Sequence, residues 1–239
     1  MMASMGALWR AGVTAAGVAL LALLCAPPAA AQKEFEVYYA MQQMGEDLGV
    51  TCAYCHVVGP DKRTDYRSEA NPKKTIARKM VEMTAEVNTR VWLATGGAPG
   101  EKAVTCASCH RGVPVPLPIA TVLKRAIEHE GVEAAVATYR DLRKRFYEKD
   151  VYDFSEAELL RVARLYVDRD PDVAIGLTTM DLDWHPQSAV AYVVMAYAYT
   201  RKFDDRSAIP LLEKALQIDP ENGPAKGYLH QLRQFQKGK

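Results

Sequence analysis

The chain has 239 residues, of which 49% are hydrophobic and 25% are charged, which is ordinary for a soluble globular protein of one or two domains. Its formal net charge of +1 gives no overall basis for binding nucleic acid or an anionic surface, so we expect no nucleic-acid partner. Any electrostatic docking must therefore be local.

Residues 1–31 have the organisation of a secretory signal peptide. Arg10 precedes an apolar run over residues 11–24, and the small triplet Ala29-Ala30-Ala31 provides a cleavage site. We therefore expect a mature protein that begins at Gln32 and is periplasmic or extracellular. The apolar run is shorter than the roughly 20 residues of a spanning helix, which disfavours a retained membrane anchor.

Cys25 leaves a lipoprotein signal as an alternative for the same segment. Lipidation sites usually need a small residue before the cysteine, and Leu24 stands there instead.

Residues 34–48 are predicted to form an amphipathic helix that ends at Gly49 and leads into a cysteine motif. The motif is Cys52-Ala53-Tyr54-Cys55-His56. C-x-x-C-H is the attachment pattern of c-type haem, because two thiols add to the porphyrin vinyl groups and the next histidine reaches the iron. The apolar stripe of the helix consists of Val37, Met41, Met44 and Leu48.

A second helix and a second motif follow a polar loop over residues 59–70. Asn71-Pro72 is typical of an N-cap followed by the first helical position, and Gly96-Gly97 is expected to stop the helix. Cys106-Ala107-Ser108-Cys109-His110 then repeats the haem pattern. The apolar stripe of this helix is predicted at Ile76, Met80, Met83, Val87 and Val91.

The doubled motif predicts two covalently bound haem c groups. A zinc site of four thiols is an alternative, but it gives no reason for a histidine directly after each second cysteine. A redox dithiol or a pair of local disulfides is another, but a thioredoxin-like motif belongs to an alternating α/β pattern that these helical flanks lack. The predicted attachment residues are Cys52, Cys55, Cys106 and Cys109, and the predicted iron ligands within the motifs are His56 and His110.

The sixth iron ligands are expected to be methionines. Outside the motifs the histidines are His129, His185 and His230, all in the C-terminal half, where surface or helix-end roles are expected. A methionine thioether is a standard axial ligand, although methionine stripes also serve as flexible core. The candidates on the two helices are Met41, Met44, Met80 and Met83.

These segments resemble the cytochrome c subunit of photosynthetic reaction centres and its shorter dihaem relatives, over roughly residues 35 to 118. The resemblance implies that Met41 and Met80 are the sixth ligands and that Met44 and Met83 have core roles. Two motifs are present where the full subunit has four, so attachment to a photosynthetic reaction centre is not implied. The resembling residues are Met41 to Cys52, Ala77 to Thr84 with Val87-Asn88, Val104 to Gly112, and Pro114, Pro116 and Pro118.

The C-terminal half begins after a proline-spaced segment, residues 113–118, that is predicted to be an extended linker. Four helices are predicted next, and Ser155 with Glu158 forms a capping box for the third. Their predicted ranges are 119–129, 132–147, 155–167 and 171–182.

A tetratricopeptide-like repeat is predicted further along. Seven residues between positions 192 and 220 stand at the positions that this 34-residue helix-turn-helix unit requires. Ala174 and Pro186 fall 34 residues before Ala208 and Pro220. The Ile119 to Tyr147 pair would be a degenerate first repeat, and residues 225–235 a capping helix. Packing of these helices against the haem domain as a simple cover is the alternative. The seven residues are Tyr192, Ala196, Tyr199, Ala208, Leu212, Ala215 and Pro220.

The sequence therefore predicts an all-α protein with a signal peptide (1–31), a dihaem cytochrome c domain (32–118) and tetratricopeptide-like repeats (119–239). We expect a non-enzymatic carrier of single electrons between protein redox partners, including membrane-associated ones, with docking or self-assembly through the repeats. The rival hypothesis is a haem enzyme or sensor in which one pentacoordinate haem reacts with peroxide or a gas.

A local basic rim for an acidic partner is a further expectation, with a solvated helix face as the equal alternative. Its residues would be Lys73, Lys74, Arg78, Lys79 and Arg111.

Overall fold

The computed structural model describes residues 29–97 and 104–237, with side chains described from residue 36 to residue 234 outside the gap. The predicted signal peptide therefore lies outside the described residues, Cys25 included, except for Ala29 to Ala31 at the start of the first helix. Among the residues described, no helix is both long and apolar enough to cross a membrane.

The described chain is mainly helical and has only two short strands, which confirms the all-α prediction. A 3₁₀-helix lies at Cys52–Tyr54, and a small antiparallel pair joins β1 (Val57–Val58) to β2 (Thr64–Asp65). The helices are α1 (Ala29–Leu48), α2 (Pro72–Ala94), α3 (Cys106–His110), α4 (Ile119–Glu130), α5 (Val132–Phe146), α6 (Glu156–Tyr166), α7 (Pro171–Leu182), α8 (Ala189–Arg201), α9 (Asp205–Ile218) and α10 (Gly223–Lys237).

Local signals in the sequence account for the helix starts. The Asn71 side chain accepts a hydrogen bond from the Lys73 N–H at the start of α2, and Ser155 caps α6 by accepting from the Glu158 N–H. Residues 113–118 are non-helical, as predicted. The β1–β2 pair within the polar loop was not predicted, since two-residue strands leave no periodic pattern.

The chain divides into two compact units, Met1–Glu46 and Asp47–Lys239. The described part of the first unit is most of α1, while the second holds both cysteine motifs and all later helices. The predicted domain boundary between residues 118 and 119 stays a prediction.

The core of the second unit lies in its C-terminal helices. Each of the pairs α4–α5, α6–α7 and α8–α9 packs together, and α4 also contacts α6 while α6 contacts α8. One buried cluster is centred on Leu123, Tyr139 and Leu177, and another on Leu212 with Ala208. Helices therefore stack in order along the chain.

Small residues allow close approach between these helices, as expected from the repeat spacing. Ala174, Ala196, Ala208 and Ala215 are all fully buried. Stacked helix pairs with small contact residues are typical of helical repeats. The assignment of these helices to the tetratricopeptide type stays a prediction.

A glycine pair joins the entrance of the first motif to the exit of the second. The Gly112 N–H donates to the Asp47 carbonyl at 2.8 Å, and a Cβ on Gly49 would lie 2.2 Å from the Gly112 carbonyl oxygen. Gly49 also has φ +64, in the left-handed region. Only glycine satisfies both the conformation and the close approach at residue 49.

We predict that Gly49→Ala lowers the stability of the protein more than Gly96→Ala. Gly96 has φ +76 but nothing within 4 Å of its would-be Cβ, so its alanine variant pays only the left-handed conformational cost of about 1 to 2 kcal/mol. Gly49→Ala adds a backbone clash that must separate the two motif segments. Thermal unfolding of both variants measures the difference; equal midpoints would contradict the close approach.

Candidate functional site

The first motif forms a tight turn that leaves its histidine partly buried. Cys52 is exposed, while Cys55 is half-buried and its N–H donates to the Cys52 carbonyl. Nδ1 of His56 is buried, and no hydrogen-bond partner for it exists among the described residues. Burial, and then the Lys74 charge, lower the pKa of His56, which favours the neutral imidazole that binds metals.

The second motif forms the short helix α3 and fixes its histidine more firmly. His110 is buried, and its Nδ1 lies 2.9 Å from the Val113 carbonyl oxygen. A carbonyl oxygen only accepts, so Nδ1 carries a proton, and in the neutral ring Nε2 then keeps its lone pair. This hydrogen bond is the usual support of a metal-ligating histidine.

Two asparagines hold α2 between the motifs. The Asn71 Nδ2 donates to the Tyr54 carbonyl of the first motif at 3.0 Å. The Asn88 side chain bonds both polar groups of the Val104 backbone, two residues before Cys106. The sequence identified Asn71 only as an N-cap, because its second bond depends on the tertiary structure.

The four candidate methionines lie on α1 and α2. Met80 is half-buried, whereas Met83 is 44% exposed. The predicted stripe of α2 is thus rotated, with Ile76 and Met83 on the open side. Met41 and Met44 lie in the first compact unit, on α1. The assignment of Met41 and Met80 as iron ligands stays a prediction.

Helix α2 has no buried residue although it is 23 residues long. A surface helix normally buries an apolar stripe against a core, and α2 meets no such core in the part of the chain described. A large apolar group beside it would cover these side chains. Its exposed apolar residues are Ile76, Val81, Met83, Trp92 and Leu93.

These features fit a c-type haem at each motif. The donor set contains two thiols and one histidine per motif, the His110 tautomer leaves Nε2 available, and α2 offers uncovered apolar surface. The first motif does not form a disulfide between Cys52 and Cys55. Burial raises the pKa of the Cys55 thiol, whereas a reactive dithiol needs a lowered one.

The four-thiol zinc alternative finds no support in the geometry. Over residues 29–97 and 104–237, no three His, Cys, Asp or Glu side chains gather as the ligands of one metal ion would.

The predicted basic rim is partly neutralised. Glu69 pairs with Lys74 at 2.8 Å and with Arg78 through two bonds of 2.6 Å. Lys73 lies 3.7 Å above the Tyr54 ring, and Arg111 donates to the Asp150 carbonyl, which ties the second motif to the loop between α5 and α6. Only part of the expected positive charge therefore remains for a partner.

The histidines of the C-terminal half lie away from the motifs in sequence, and two are on the surface as expected. His129 and His230 are exposed. His185 is half-buried, with Nδ1 3.0 Å from the fully buried Asp181. Burial raises the pKa of that carboxyl.

Comparison with known proteins agrees with the site. Residues 51–143 match the family model described as photosynthetic reaction centre cytochrome C subunit. Residues 51–143 are therefore similar to that family. The photosynthetic reaction center cytochrome c subunits of Rubrivivax gelatinosus and Roseobacter denitrificans are each 40% identical over 65 residues. That segment is 27% of this chain but only 15% and 17% of those relatives.

The bounds of the match to the reaction centre cytochrome family include one of the two proposed methionine ligands and exclude the other. The match contains both cysteine motifs and Met80, whereas Met41 precedes it. It also continues past residue 118 through α4 and most of α5, beyond the range of the predicted haem domain.

We predict that Glu69→Gln weakens the attachment of the polar loop (residues 59–70) to α2 at neutral pH but has no effect on it at strongly acidic pH. The cations Arg78 and Lys74 lower the pKa of Glu69 from 4.5 to about 2. Because the pKa is lower when folded, the stabilisation is complete above pH 4.5 and is lost as the pH falls towards 2.

Urea unfolding of wild type and Glu69→Gln across this pH range gives the measurement, with Glu82→Gln on the exposed face of α2 as control. The difference should shrink with added salt, since these groups are exposed. A difference that persists at pH 2 would contradict the ion pairs.

Proposed function

We propose that this protein is an exported dihaem c-type cytochrome that carries single electrons between protein redox partners. The observation that carries the proposal is the presence of two C-x-x-C-H segments in one compact unit. The cap residue of α2, Asn71, bonds Tyr54 of the first segment, and Asn88 of α2 bonds Val104 just before the second. The family match over residues 51–143 supports it.

Each motif would hold one haem through its own residues. Cys52 and Cys55 would attach the first haem with His56 as ligand, and Cys106, Cys109 and His110 would serve the second. We propose Met41 as the ligand opposite His56 and Met80 as the ligand opposite His110. The bound haems would supply a reversible one-electron change at iron.

Filled axial positions favour transfer over catalysis. An iron with histidine and methionine ligands has no open position for substrate, and methionine raises the potential relative to two histidines. We therefore propose a carrier that receives electrons from quinol-oxidising complexes.

The C-terminal helices would provide the docking surface. A groove of about 380 Å³ lies between α6, α8 and α10. Its walls are largely apolar, with Val193, Tyr197 and Tyr228 among them and Arg164 at one side. A protein partner, a membrane-associated redox complex or a second copy of the chain would suit such a surface, and we propose a membrane-associated complex first.

The first test is the intact mass of protein produced with a cytochrome c maturation system, together with oxidised and reduced absorption spectra. We expect the mass from Gln32 plus two haems, low-spin bands and a methionine-to-iron charge-transfer band. A haem-free protein with bound zinc would overturn the proposal.

The ligand assignment is tested by two pairs of variants. Met80→Ala and Met41→Ala should each remove the charge-transfer absorbance of one haem and lower one reduction potential. Met83→Ala and Met44→Ala, on the same helices, should leave both unchanged.

Carbon monoxide binding separates the carrier from the rival enzyme or sensor. The reduced wild type should bind it slowly or not at all, because both axial positions are filled. Rapid binding by one haem, with a high-spin ferric component, would favour the rival.

A further inference from the structure

Both polar atoms of the Asn88 side chain form hydrogen bonds with the backbone of Val104. Its Nδ2 donates to the Val104 carbonyl at 2.7 Å, and its Oδ1 accepts from the Val104 N–H at 2.9 Å. The amide thus pairs with Val104 as one strand pairs with another. Because asparagine has one methylene, this two-point bond holds the segment close to α2.

The same amide belongs to a chain of bonds along one side of α2. Asn88 Nδ2 also donates to the Thr84 carbonyl at 3.0 Å, and the Thr84 hydroxyl donates to the Met80 carbonyl at 2.8 Å. Residues 80, 84 and 88 are four apart, so they share one side of the helix. All three are half-buried, which distinguishes this side from that of Met83.

Val104 lies two residues before Cys106, the first residue of the second motif. Thr105 follows it, and its N–H donates to the Ser108 hydroxyl at 3.0 Å inside α3. His110 is in turn fixed by its bond to Val113. Hydrogen bonds and short chain segments therefore connect Asn88 to His110 through Val104 and Thr105. On the other side, hydrogen bonds connect Asn88 to Met80 through Thr84.

We propose that Asn88 is a positioning residue for the second haem. It holds the segment that enters α3 against the helix that carries Met80, and thereby sets the separation between Met80 and His110. The inference rests on the proposed function, in which these two residues are the axial ligands of one iron. Asn71 has the corresponding place at the first motif, but its side chain makes a single bond to that motif, to the Tyr54 carbonyl.

The experiment measures how readily exogenous imidazole displaces methionine from the ferric dihaem protein, followed by loss of the charge-transfer band. In wild type we expect two displacement steps. Asn88→Ala removes three hydrogen bonds, so one step should move to about tenfold lower imidazole or below. One reduction potential should fall, and the other should remain.

Further variants isolate the position from general stability. Asn88→Asp keeps the acceptor for the Val104 N–H and loses both donated bonds, so its effect should be intermediate. Thr89→Ala removes an exposed hydroxyl that bonds only its own helix, at Ala85, and should match wild type. Asn71→Asp keeps the helix cap, loses the bond to Tyr54, and should leave the second haem unchanged.

A double-mutant cycle identifies the haem. In a Met80→Ala background there is no methionine left for Asn88 to position, so Asn88→Ala should add no further change at that iron. Additive effects of the two substitutions would overturn the proposal.

The outcomes are separable from failure of the proposed function. Wild-type protein without two haems or without the charge-transfer band contradicts the function itself. A normal wild type whose Asn88→Ala variant keeps both steps and both potentials contradicts the positioning role alone, as does an equal change at both haems. If Asn88→Ala does not accumulate as dihaem protein, Asn88→Asp decides by the same readouts.

Discussion

The region of the two cysteine motifs depends on side-chain hydrogen bonds to backbone because it has almost no protein core. Helix α2 buries none of its residues, and yet it is fixed at its start to Tyr54 and near its end to Val104. Partly buried hydrogen bonds fix direction and distance but contribute little net free energy. Apolar burial against a large cofactor would provide what these bonds do not, so folding of this region and haem attachment would be coupled.

The C-terminal helices show the opposite balance. They bury leucines, valines and alanines in two clusters, and most of their cohesion comes from apolar contact between neighbouring helices. The sparsely packed region of the motifs joins the packed C-terminal helices after the second motif. There His110, Val113 and Ile119 are buried, and Arg111 donates to the Asp150 carbonyl. The second motif is therefore anchored to a core, and the family match extends through α4 and most of α5.

This anchoring makes the two motifs unequal despite their identical pattern. His110 is buried and has a fixed tautomer, whereas His56 is half-buried with Nδ1 lacking a partner among the described residues. A donated bond from Nδ1 makes an imidazole a stronger electron donor to a metal. Two haems held by these histidines would thus differ in reduction potential, and electron transfer between them would be favourable in one direction.

Local chemistry explains what could be predicted without coordinates. The helix starts at Asn71 and Ser155 follow from side chains that bond backbone three or fewer residues away, and the predicted ranges of α4 to α7 agree with the observed ones to within one residue at each end. The cysteine motifs could be recognised because haem attachment requires adjacent residues. The apolar stripe of α2 was less accurate, since Ile76 and Met83 lie on the open side.

The sequence by itself determined the helical class and the two C-x-x-C-H motifs in their order, because each depends on residues close together in the chain. Only the tertiary structure decided that Glu69 neutralises part of the basic rim, that Gly49 meets Gly112, and that Asn88 bonds Val104. These contacts join residues that are 5 to 63 positions apart. No local pattern records such pairs, because they form only when distant segments are brought together by the fold.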